Sequence, residues 1–472
     1  MDEGEWLIDL LLKEGASYAE VRFQKSVDFG IMLKNGAPEP PEYSEIYGVA
    51  IRVLYQGSLA FSSTNIVTKD SMKESGLRAL KTAKAMKPTS KNVQFSSEKA
   101  NVDDWGVNYK ISPTDVDSKV ITELLKEVDG VVQGVKGVKF PNRLLAFGGG
   151  VEEKVYMNSE GSRLKSKVPR IGGYFILTAL NEGKGTLQRI VQLGETGGWD
   201  RVDEMGPVRV AKEEAEAMSK ILLHGKDLVP GRYDVVVGGE VSGIIAHEAC
   251  GHPQEADRIL GREAAQAGES YLKKDMIGRK IGSPLVFVTD FPAMPNSNGF
   301  YIYDDEGVKA IKKELIKGGI INEFLHNRET AHDLGTKSNA SMRTSSFSRE
   351  PIVRMSNTFI EPGDHTFDEL LEGVNHGLYI KSFQEWNIDD IRWNNRYVGL
   401  EAYAIENGEI KHPVIAPVIE ATTGLIFSSI DAIGNELVFK ANTCGKGQPE
   451  QGVPVWTGGP SMRMKGLSIK NR

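Results

Sequence analysis

The residues best suited to chemistry lie together in mid-chain: His247, Glu248, Ala249, Cys250, Gly251 and His252. Imidazoles bind zinc readily, and a carboxylate beside them is the group that takes a proton from water. Val241, Ile244, Ile245 and Ala249 recur at helical spacing, which predicts a helix over residues 240–250 following Gly238-Gly239. On that helix Glu248 falls in the middle of the apolar face, with His247 on its flank. A carboxylate is costly there unless a cation, above all a metal ion, compensates it.

The spacing requires a device. The familiar two-histidine zinc helix carries its ligands at i and i+4 on one face. Here they stand at i and i+5, which on an ideal α-helix separates the side chains by roughly 140°. Gly251 is expected to end the helix and Pro253 to push His252 out of the α region, so that His252 folds back past the last turn. Two cysteines, Cys250 and Cys444, are the available thiols. Cys250 falls roughly 60° from His247 on the side away from Glu248, and reads as a small half-buried residue. Cys444 sits in Asn442-Thr443-Cys444-Gly445-Lys446-Gly447-Gln448, read as a glycine-flanked turn in which Lys446 favours the thiolate.

Around this centre, Glu255 and Asp257 are candidates to orient a ligand imidazole through its other nitrogen, with solvated loop charges as the alternative. Tyr303 is a candidate to stabilise an oxyanion, line a cleft or fold a turn, and Asp304 and Asp305 read as turn residues. The other six histidines carry no ligand spacing.

The elements that must hold these residues fall into two parts. A chain of 472 residues exceeds one ordinary core. The first part, residues 1–228, reads as an α+β lobe: helices near 3–13, 69–85, 115–132 and 207–223, and strands near 18–25, 29–33, 46–54 and 58–61. A meander over 140–193 completes it. A polar stretch at 87–103 shows no periodicity. The second part, residues 229–472, reads as β-rich, with strands near 233–237, 285–289, 352–360, 414–420 and 437–440 around the one helix that carries the histidines.

Composition excludes some functions. Lys and Arg number 57 against 64 acids, a net charge of −7, so no nucleic-acid partner is expected. No apolar run approaches the roughly 18 residues of a membrane span. The start, Met1-Asp2-Glu3-Gly4-Glu5, lacks the positive charge of a secretory signal, and two cysteines build no disulfide scaffold, so a cytoplasmic location is expected.

The stretch from Gly243 to His252 resembles the metal motif of the TldD/PmbA family of metallopeptidases. Three later segments match in order: Tyr303-Asp304-Asp305-Glu306-Gly307, residues 351–357, and Cys444-Gly445-Lys446-Gly447-Gln448. The resemblance implies an α+β fold whose β-rich second domain carries the metal helix. It also implies Zn2+ held by His247, His252 and Cys444, with Glu248 as the catalytic carboxylate. It further implies a peptide or unfolded-protein substrate, and a homodimer or a heterodimer with a related subunit. Some members of the family have lost the motif; this chain keeps it and resembles the active, TldD-like kind. Three protein ligands leave a fourth position for water, whose pKa zinc brings to about 7. Two other readings stand: a catalytically silent peptide-binding subunit, against which the intact motif counts, and a hydrolase of a non-peptide amide.

Overall fold

The structure, a computed structural model, describes residues 2–86, 91–262 and 268–472. The polar stretch at 87–103 therefore begins with four residues outside those described. Its later part stays irregular until the short strand Val102–Gly106. The fold is α+β, as expected.

In the first lobe, Ser58–Thr64, Glu42–Tyr55, Tyr18–Lys34, Lys139–Asn158 and Arg163–Asn181 lie side by side in that order. Gly185–Thr196 and Val102–Gly106 both pair with Arg163–Asn181. The two strands expected near 18–25 and 29–33 are one, running from Tyr18 to Lys34 and turning at Asn35-Gly36, both at positive φ. Its middle carries the polar residues Gln24, Lys25, Ser26 and Asp28. They are carried because strands flank it on both sides along nearly its whole length. Alternation then decides what each face meets. In Glu42–Tyr55, Val49, Ile51 and Val53 face the core that includes Leu7, Leu11 and Leu80 of the helices Asp2–Lys13 and Lys69–Met86. Arg52, between them, pairs with Glu306 of the second lobe at 2.6 Å. Both faces of this sheet are thus used, one for helices and one for the neighbouring lobe.

The second lobe holds two larger sheets. One is six-stranded, in the order Ile320–Ile321, Lys313–Lys317, Val288–Asp290, Asn357–Ile360, Gln451–Gly459, Val438–Lys446. The other is nine-stranded and has Gly231–Val237 in its interior and the hairpin Phe383–Ile388/Asn394–Gly399 at one edge. Between them lies the helix Gly239–Ile245, whose Val241, Ile244 and Ile245 share one core with Val235, Val288, Val455 and Met462. This segment is buried on all sides, where the sequence suggested one apolar face: every residue from 239 to 257 is buried. Close approach makes that possible, since a Cβ on Gly243 would meet the backbone nitrogen of Gly458 at 2.7 Å. Among the described residues no helix is long and apolar enough to cross a membrane.

Candidate metal centre

The helix does not end where the spacing suggested. After Ile245 it widens into a π-helical turn, Ala246–Gly251, and the N–H of His252 donates to the carbonyl of His247. A hydrogen bond from residue i+5 to residue i stacks those two residues as an α-helix stacks i and i+4. The expectation that His252 leaves the α region is corrected: its backbone stays there, at φ −60° and ψ −44°, and Gly251 is likewise α-like. Pro253 takes an early position of the short 3-10 turn His252–Gln254, where its missing N–H costs nothing. Gly251 serves close approach instead of termination. A Cβ there would fall 1.9 Å from the sulfur of Met355.

The widened turn brings the rings of His247 and His252 to 4.8 Å between centroids, with their planes 80° apart. Cys444 comes from the other end of the chain, on the edge strand Val438–Lys446, and its Sγ lies 3.4 Å from His252 Nε2. One donor atom from each of His247, His252 and Cys444 fits within 4.8 Å of the others. Zinc–sulfur and zinc–nitrogen bonds at a tetrahedral angle put those two atoms about 3.5 Å apart, so the pair has the separation a shared ion requires. Nδ1 of His247 is buried and has no hydrogen-bond partner among the described residues. An orphan of that kind is costly in a closed core and suits a metal site. The donor set and its spacing fit zinc.

Electrostatics agree. Burial pushes the Cys444 thiol up, but His252, Arg354 and His247 outweigh it and hold the group well below its ordinary range. Burial pulls His247 down, and the facing Cys444 thiolate more than reverses that. Cys250 is the opposite case. Fully buried in the core between the sheets, it has its thiol pushed well up by burial and lies outside the cluster of donors.

Cys444 lies within the strand that was expected to stop near residue 440. Pairing with Gln451–Gly459 continues through Cys444↔Val453 to Lys446↔Gln451. Gly445 and Gly447 suggested a turn, but Gly445 is a strand residue. Because side chains alternate along a strand, Cys444 and Lys446 face inward together. Lys446 then holds Asp257 at 2.7 and 2.8 Å, and Glu255 at 3.4 Å. Glu255 in turn accepts from His252 Nδ1 at 3.0 Å and from Arg258 at 2.6 Å. Burial raises the Glu255 carboxyl, but Lys446, His252 and Arg258 together bring it well below its usual range. An ionised Glu255 accepts from His252 Nδ1, so Nε2, the nitrogen facing Cys444, is the one that would bind a metal ion. Glu255 and Asp257 are therefore buried groups tied to the centre and not solvated loop charges.

Domain descriptions of the PmbA/TldA metallopeptidases match this chain in three places: domain 1 over residues 19–87, the central domain over 111–220 and the C-terminal domain over 230–471. The chain belongs to the PmbA/TldA metallopeptidase family. A metalloprotease of Methanocaldococcus jannaschii is 31% identical over 457 residues, 97% of this chain and 97% of that one. A zinc metalloprotease TldD homolog of Saccharolobus solfataricus is 33% identical over 252 residues, covering 52% of this chain and 53% of its own. The crystal structure of TldE from Thermococcus kodakarensis shares the fold, with a TM-score of 0.77 at 16% identity, over 99% of this chain and 100% of that one.

In this PmbA/TldA chain not every residue singled out by type gathers at the centre. The hydroxyl of Tyr303 donates to Asp103 of the first lobe at 2.9 Å. Asp304 accepts from the backbone of Glu306, Val308 and Met342, as a turn residue does. Asp305 pairs with Lys154 at 3.1 Å and Arg22 at 3.6 Å, so this motif joins the lobes. Sequence reasoning missed three residues near the centre. Trp386 Nε1 donates to Glu248 Oε1 at 3.1 Å, and Arg392 pairs with Glu248 Oε2. Arg354, fully buried, donates to the carbonyl of Gln451 at 3.1 Å and to that of Cys444. Arg354 lies in the matching run 351–357. Trp386 and Arg392 carry no motif, and only the register of their hairpin brings them to Glu248.

Proposed function

We propose that this chain is a zinc-dependent peptidase that hydrolyses short or unfolded peptides, with zinc held by His247, His252 and Cys444. The observation that carries the reading is the three-donor cluster immediately beside Glu248, one donor arriving from 192 residues away. Zinc bound there supplies a Lewis acid that acidifies water and polarises a carbonyl. Glu248 takes one proton from the attacking water as the water oxygen bonds to the peptide carbon. It gives that proton to the amide nitrogen as the C–N bond breaks, and ends as it began. Glu255 orients His252, Lys446 locks Glu255 to the strand of Cys444, and Arg354 anchors that strand through the Cys444 carbonyl.

The same reading takes residues 1–228 and 229–472 as the two domains, supported by sheets whose strands pair within one part or the other. It takes the working form as a dimer, with itself or with a related subunit, in the cytoplasm. The full-length likeness in fold to TldE supports a related subunit as a possible mate. A screen of unstructured peptides and stable folded proteins, with and without chelator, tests the activity. Chelator-sensitive cleavage confined to the peptides is expected. Zinc binding without cleavage of any peptide, alone or with a related subunit, would leave the silent-subunit reading in its place.

A further inference from the structure

We propose that the hairpin Phe383–Ile388/Asn394–Gly399 is a clamp that sets the orientation of Glu248, with Arg392 and Trp386 as its positioning residues. Glu248 is buried, and its two carboxylate oxygens are engaged separately, Oε1 by the indole N–H of Trp386 and Oε2 by the guanidinium of Arg392. Both donors come from one hairpin, Trp386 from its first strand and Arg392 from its loop. A glutamate has three side-chain torsions, and a proton-transferring carboxylate is useful only while its head group is aimed. Each oxygen keeps a second lone pair, so two donors fix the group without filling it.

The backbone gives an independent sign. Arg392 has φ +65°, the left-handed region that a long L side chain rarely occupies. Such a conformation persists only where its surroundings over-determine it, and such sites cluster where function needs them. Here the N–H of Arg392 donates to Asp389 O at 3.0 Å, and its carbonyl accepts from Thr423 Oγ1 at 3.0 Å. The next residue, Trp393, donates to Asp389 Oδ1 at 2.7 Å and packs against Tyr271. An asparagine or glycine would sit in this turn with less strain, and an arginine there places its guanidinium on Glu248. Trp386 is 40% exposed while Glu248 is buried, so the clamp stands between Glu248 and solvent.

The inference rests on the proposed proton transfer by Glu248, and the experiment keeps the two apart. Arg392→Gly suits the left-handed backbone and leaves room for a free guanidinium ion; Trp386→Phe removes only the indole donor. In full-length protein with 15N-labelled indoles, the Trp386→Phe variant identifies one resonance among those of the six tryptophans. That resonance is expected to move upfield in Arg392→Gly, as the carboxylate leaves the indole, and also in Glu248→Gln, where a neutral amide oxygen is a weaker acceptor. In kinetics, Arg392→Gly is expected to lower kcat about 100-fold while leaving KM and zinc stoichiometry within a few-fold of native. Guanidinium at a sub-denaturing concentration is expected to restore part of that loss. An unmoved indole resonance in Arg392→Gly overturns the clamp even if no peptide substrate is found. Unchanged or increased kcat, or a loss carried by KM or by zinc content, overturns it as well.

Discussion

The N–H of His252 donates to the carbonyl of His247, so the two candidate ligands are joined directly by one π-helical turn. That bond is local, yet it depends on packing some hundred residues away in sequence, because Met355 lies against Gly251 inside the same turn. The neighbour cannot retreat easily, since Met355 is itself fully buried.

Gly251→Ala should therefore act as an overpacking mutation in the wall of the metal site. We expect a loss of about 1–3 kcal/mol in urea unfolding, together with reduced zinc stoichiometry. Adding Met355→Ala to make room should recover zinc binding in part. A Gly251→Ala protein as stable and as zinc-rich as native would show that the turn tolerates a Cβ, and that close approach is not why glycine stands there.

Glu248→Gln keeps the shape of the side chain and removes its ability to carry a proton. Zinc content should stay near native, because Glu248 is not among the clustered donors. Peptide hydrolysis should fall by at least about 100-fold. Activity within a few-fold of native would remove Glu248 from the reaction.

What the sequence made legible follows from the range of each cause. Helical spacing of Val241, Ile244 and Ile245 and alternation in residues 46–54 are local, and the helix Gly239–Ile245 and the strand Glu42–Tyr55 appear where those patterns lie. The widened turn was not legible, because a π-helical step leaves no periodicity of its own in six residues. The Cys444 strand was misjudged because Gly445 and Gly447 look like turn residues, whereas pairing with Gln451–Gly459 carries the strand through to Lys446. The partners of Glu248, 138 and 144 residues away, were hidden for a plainer reason. Nothing in a tryptophan or an arginine identifies its carboxylate until the sheet register brings them together.

The junction of the lobes should be sensitive to acid through Asp305. Burial raises its carboxyl, but Lys154 and Arg22 outweigh that and bring it below its ordinary value. With the folded value depressed, its contribution is complete above the unfolded pKa of about 3.9 and is lost as pH falls through the folded value. Asp305→Asn should cost about 3 kcal/mol at neutral pH, because it removes the carboxylate that pairs with both Lys154 and the buried Arg22 at the junction. The gap between native and variant should close as pH drops below about 4. Unfolding curves for both proteins from pH 7 to the acid limit give the comparison, and a gap that stays constant or widens in acid contradicts the assignment.

The last prediction separates the two cysteines. Cys444 faces His252 at 3.4 Å, and its thiol is brought down by the positive charges around it. Cys250, three residues after His247, points into the core between the sheets, where burial keeps its thiol protonated. Cys444→Ser should lose most of its zinc and its chelator-sensitive peptidase activity. Cys250→Ser should retain both, at a cost in stability of about 1–2 kcal/mol for a hydroxyl in place of a fully buried thiol. The Lys446→Met variant adds a third arm. It leaves Cys444 in place but takes from Glu255 and Asp257 the cation that ties them to the strand, so zinc should bind about 10–100-fold more weakly without being abolished. Zinc stoichiometry and competition with a chromogenic chelator, measured on all three variants, give the order expected: Cys250→Ser like native, Lys446→Met weakened, Cys444→Ser without zinc. Full zinc in Cys444→Ser together with loss in Cys250→Ser would mean that the donors are drawn from the helix alone, and that the edge strand does not complete the site.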